Sequence, residues 1–77
     1  MAKFIEVNQA VNRKAGVETE PTFINVDWIV KVQIAPKTDR TYWKQDMTEI
    51  TVALGVSVYK YYVSQTIEEV MAMINEG

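Results

Sequence analysis

The residue types able to do chemistry in this 77-residue chain gather in one stretch, where Lys37, Arg40 and Lys44 surround the adjacent rings of Tyr42 and Trp43. Two uses fit that set. Exposed rings rimmed by cations have the composition of a protein-contact hot spot, because a rigid ring buries a large area with few rotamers to freeze. Nucleic acids use the same types, with bases stacked on rings and phosphates met by cations. Asp39 and Asp46 lie in the same segment and the chain's net charge is −2, so no overall field draws in a polyanion. Protein contact therefore ranks first and nucleic-acid binding second. A third arrangement keeps the rings within the fold, either laid back over a sheet or extending the flanking strands into a longer hairpin.

Catalysis is not expected. The chain has no His and no Cys, which leaves Asp, Glu, Lys and Tyr as acids and bases and removes the usual ligands of zinc. Its three glycines stand singly at Gly16, Gly55 and Gly77, so no phosphate-cradling loop is written. Asp46 and Glu49 are the nearest approach to a carboxylate pair, and a solvated loop end accounts for them. No catalytic residue, cofactor or metal ligand is assigned.

The elements that must position the basic and aromatic segment are short strands and one helix. Residues 58–63 hold Val58, Tyr59, Tyr61, Tyr62 and Val63, the β-branched and aromatic types of a strand, and Ser64-Gln65 breaks the run. Thr66 and Glu69 then form a capping box, and Ile67, Val70, Met71 and Ile74 repeat at the spacing of one helical face. Earlier in the chain, residues 3–11 alternate as a strand whose buried side is ambiguous. Residues 12–20 read as a polar connection with Gly16 at its positive-φ site, and residues 22–26 read as a second short strand. Asn25 and Asp27 supply turn chemistry, with Trp28 at the corner expected to plug the end of the core. In the strand over 28–35 the period places Val30, Val32 and Ile34 on one side and Lys31 and Gln33 on the other. Residues 48–54 put Ile50, Val52 and Leu54 on one face, Gly55 turns the chain, and Lys60 argues that Tyr59, Tyr61 and Val63 face inward. That choice leaves Val58 and Tyr62 on an outer face open to a second subunit.

The predicted fold class is α+β: one domain over residues 1–77, an antiparallel meander or partly open barrel of about five strands closed by a C-terminal α-helix. A core this small barely offsets the entropy of ordering the chain, and without cysteine no disulfide assists, so self-association is expected. A hydrophobic fraction of 48% with 23% charged residues belongs to a folded domain. Glu6 interrupts what a signal peptide would need and no apolar run reaches membrane-spanning length, so a cytoplasmic protein without membrane contact is expected.

Residues 22–32, with Asn25-Val26-Asp27 between two strands, and residues 61–70, where a Tyr-bearing strand runs into Ser64-Gln65-Thr66-Ile67-Glu68-Glu69-Val70, resemble the small flagellar and swarming motility proteins of the FlbD/SwrD family. The resemblance implies a strand–turn–strand, hairpin and helix order, and a setting in bacterial motility. The segment over 36–47 is longer than that family's hairpin loop, and Gly55 stands where those proteins carry an Asn-Gly type of tip. Similar small proteins also occur among bacterial and phage products. The expected function is that of a small non-enzymatic interaction domain acting through the Tyr42-Trp43 loop.

Overall fold

In a computed structural model, residues 3–41 and 43–76 are described. The elements in order are β1 (Phe4–Arg13), β2 (Gly16–Asn25), a 3-10 turn η1 (Val26–Trp28), β3 (Ile29–Ala35), β4 (Met47–Leu54), β5 (Ser57–Val63) and α1 (Ile67–Asn75). All strand pairs are antiparallel, and the sheet order is β2-β1-β5-β4-β3. The α+β architecture expected from the sequence is the one observed.

The sheet has to curl, for a reason of length. β2 and β3 lie at its opposite ends, yet only η1 joins Asn25 to Ile29. Five flat strands would hold those ends about 19 Å apart. Four chain steps reach at most about 14 Å. The Asn25 side chain starts the turn by accepting from the Asp27 N–H at 2.9 Å, and the Val26 N–H donates to the Lys3 carbonyl at 2.9 Å, closing the corner. β1 meets β5 over a narrow seam, the pair Gln9↔Val63. The Ser64 N–H donating to the Asn8 carbonyl at 3.0 Å and the Asn8 N–H donating to Gln65 Oε1 at 3.0 Å extend that seam.

Curling gives the sheet two distinct faces, each with its own apolar cluster. On the inner face Ile5, Val7, Ile24, Ile50, Val52 and Val63 pack with Val70 of α1. On the outer face Ala10, Ala35 and Met47 pack with Trp43, flanked by Val17 and Tyr62. β4 is therefore buried on both sides from Met47 to Val52. The sheet alternation predicted for Ile50 and Val52 holds, whereas Leu54, at the turn, is exposed.

The capping box is formed as expected: the Glu69 N–H donates to Thr66 Oγ1 at 3.1 Å and the Thr66 N–H to Glu69 Oε1 at 3.0 Å. At the other end of α1, Lys3 Nζ donates to the Ile74 carbonyl at 2.9 Å, a cation where the helix dipole favours one. Within the predicted apolar stripe, Val70 is fully buried and Ile74 packs against the core; Met73 joins them, while Met71 is exposed. The buried stripe is thus rotated from Met71 toward Met73.

Several local expectations change. The polar stretch over 12–20 is mostly strand: β1 and β2 continue to a two-residue turn at Lys14-Ala15, with Gly16 at φ +122°. Arg13 reaches across to Glu18 at 3.1 Å and Glu20 at 2.8 Å, so the charges predicted for a solvated tip pair with one another on a long hairpin. Trp28 is exposed and belongs to neither cluster, correcting its expected place at the end of the core. In β3 a register shift between Ile29 and Lys31 makes Val30 the extra residue, so Ile29 and Val32 pack inward and Val30 and Ile34 remain exposed. At the β4–β5 turn Gly55 takes φ +61°, and no non-glycine described residue has positive φ, which is the pattern of a two-residue turn needing glycine first. Among the described residues no helix is long and apolar enough to cross a membrane.

Candidate binding surface around the Trp43 loop

The segment over 36–46 leaves β3 and returns to β4 on the outer face of the sheet. Its own residues shape it. Thr38 and Thr41 make a compact turn in which the Thr38 N–H donates to Thr41 Oγ1 at 3.0 Å, the Arg40 N–H to Thr38 Oγ1 at 3.1 Å and the Thr41 N–H to the Thr38 carbonyl at 3.2 Å. Asp46 closes the base by accepting from the Lys37 N–H at 2.9 Å. Asp46 is thus a loop latch, and among the described residues no three Asp or Glu side chains gather as a metal-binding group.

Trp43 fastens the loop to the sheet. Its ring is 7% exposed and stacks on Tyr62 of β5, with centroids 4.5 Å apart and planes 27° apart. The reading in which Trp43 is an exposed anchor is corrected by this contact: the ring belongs to the fold. The outer face that the β5 pattern left open at Tyr62 is covered from within the same chain. Tyr42 lies outside the described residues. Lys37, Arg40 and Lys44 are exposed, as binding candidates must be.

Pinning the loop makes two clefts, and Lys44 lines both. One, about 660 Å³, lies between the loop and the tip of the β1–β2 hairpin, lined by Asn12, Val17, Thr19, Lys44, Gln45 and Met47. Its floor is apolar at Val17 and Met47, and its polar groups are spread around the rim. A smaller one, about 370 Å³, is lined by Lys37, Thr38, Asp39, Trp43 and Lys44. Residue spacing alone exposed the loop but not the first cleft, because Asn12, Val17 and Thr19 come to it only through the long hairpin.

A polar row crosses the sheet beside Trp43, and sequence reasoning missed it. Gln33, Glu49 and Tyr62 are direct cross-strand partners on β3, β4 and β5. Glu49 is 5% exposed, which corrects its place at a solvated loop end. Gln33 Nε2 donates to its carboxylate, the Tyr62 hydroxyl donates at 3.4 Å, and Lys60 Nζ stands at 3.5 Å. Charge and hydrogen bonds together offset its desolvation, so the row is a structural brace that also orients Tyr62 beneath Trp43. In the next row Lys31 and Lys60 flank Thr51, whose buried hydroxyl has no hydrogen-bond partner among the described residues. Comparison with protein-family models, with curated proteins and with solved structures finds no match for this chain.

Proposed function

We propose that this is a small non-enzymatic interaction domain, cytoplasmic and of bacterial or phage type, which serves as an adaptor or regulator and associates with itself. Its protein partner binds the surface formed by Lys37, Arg40 and Lys44 and the adjoining cleft. The observation that carries the reading is the cleft between loop and hairpin tip, where exposed Lys44 stands over an apolar floor at Val17 and Met47. A floor of that kind takes an apolar side chain, and Lys44 beside it favours an acidic neighbour in the partner's sequence. The resemblance to the FlbD/SwrD family suggests bacterial motility as a setting.

The second reading, a nucleic-acid-binding module using Lys37, Arg40, Tyr42, Trp43 and Lys44, keeps the cations but loses a stacking platform, since Trp43 is buried against Tyr62. The test is capture of partners from host lysate by the parent and by the triple variant Lys37→Glu/Arg40→Glu/Lys44→Glu, each with and without nuclease, after circular dichroism shows equal folding. A protein retained by the parent after nuclease and lost by the variant is the expected result. Capture abolished by nuclease transfers the loop to nucleic acid. Identical capture by parent and variant removes the loop from the binding surface altogether.

A further inference from the structure

The inner face of the sheet is covered by α1, and much of its outer face is covered by the Trp43 loop. What the chain leaves open are the two end strands, β2 and β3, each with a row of backbone groups that no other strand uses. They differ sharply. β2 carries Glu18, Glu20 and Pro21, so like charge and a missing donor guard it against another strand. β3 carries one charge, Lys31, and its regular part from Lys31 to Ala35 presents Val32 and an Ile34 that is 59% exposed.

We propose that two copies of this chain join β3 to β3, antiparallel about a two-fold axis at Gln33, making one continuous sheet across the dimer. This rests on the self-association in the reading above and names its surface. The order Lys31-Val32-Gln33-Ile34-Ala35 is self-complementary about its centre: Val32 lies opposite Ile34 of the second copy, Gln33 opposite Gln33, and Lys31 opposite Ala35. Apolar residues meet apolar ones on the inner face, and the two lysines stay at opposite ends of the ladder. A groove of about 360 Å³ runs beside the edge, lined by Lys31 and by the apolar residues Val26, Ile29, Val30, Val32, Met71 and Ile74. It receives the Ile34 side chain of the second copy, which enters opposite Val32. The bulge at Val30 ends the ladder on one side and Pro36 on the other, so the pairing is short and does not propagate.

The test needs mass and one cross-link. Light scattering of the parent over a dilution series is expected to give twice the 8.8 kDa chain mass, and Ile34→Glu to give the single-chain mass with an unchanged dichroism spectrum. Gln33→Cys in this cysteine-free chain is expected to form a disulfide-linked dimer on mild oxidation, because directly opposed side chains lie within disulfide reach, whereas Thr19→Cys on β2 does not. A parent that stays monomeric overturns both the interface and the self-association. A dimer that survives Ile34→Glu, or that cross-links through Thr19→Cys and not Gln33→Cys, overturns the β3 interface alone.

Discussion

The two faces of the sheet are closed by covers of opposite kinds. α1 closes the inner face with one fully buried side chain, Val70, on an element held by hydrogen bonds at both ends, the Thr66–Glu69 box and Lys3 on the Ile74 carbonyl. The loop over 36–46 closes the outer face with one buried ring, Trp43, on an irregular backbone held by a threonine turn and the Asp46 latch. A helix satisfies its own backbone, so its cover needs only an apolar stripe. The loop leaves its backbone to side chains and water, and so stays at the surface and shapes clefts. The inner cover therefore serves stability, and the outer one joins stability to the clefts proposed above for binding.

The largest way to break that comparison is Val70→Asp, which sets a charge among Ile5, Val7, Ile50 and Val63 without a partner. A loss of about 3–5 kcal/mol is expected, enough to unfold so small a domain in a urea titration. Trp43→Ala is expected to lose about 3 kcal/mol, lower than the helix variant because the loop lies at the rim of the fold. It is expected to leave the far-ultraviolet dichroism of α1 intact and to free Tyr62. With Trp28→Phe as background, Trp43 becomes the single tryptophan, and its blue-shifted emission should move to the red at the same denaturant concentration as the helix signal. Separate transitions would show that the two faces unfold independently.

Two smaller changes sharpen the contrast. Thr66→Ala removes the hydroxyl that accepts from the Glu69 N–H and should cost about 1 kcal/mol, read as a lower midpoint with unchanged slope in denaturant. Thr51→Val replaces a buried hydroxyl that has no partner among the described residues by a methyl of nearly the same size. It should be neutral or stabilising by up to about 1 kcal/mol, and a loss larger than that would show the hydroxyl to be hydrogen-bonded in solution.

Helix and strand content was legible wherever a signal is local. The capping box at Thr66, the Asn25–Asp27 turn, Gly55 and the alternation of Ile50 and Val52 each depend on residues a few positions apart, and each is present in the structure. The long β1–β2 hairpin was not legible, because Glu18, Thr19 and Glu20 on an end strand are solvated and carry no apolar period. Glu49 misled for the opposite reason: its type says surface, while its neighbours Gln33, Lys60 and Tyr62 come from other strands. The candidate surface divides the same way. Lys37, Arg40 and Lys44 were readable as exposed cations, but the cleft beside Lys44 required the hairpin tip to arrive from the other end of the chain.

By itself, the sequence determined the class of fold, the helix and its start, the turns, and the absence of histidine and cysteine, because these follow from residue type and short-range spacing. Only the tertiary structure decided that Trp43 serves the fold, that Glu49 is buried and that β3 is the unguarded edge. A residue's type constrains its neighbours along the chain, whereas the packing of a ring, a carboxylate or an edge is settled by which distant strand comes to lie beside it.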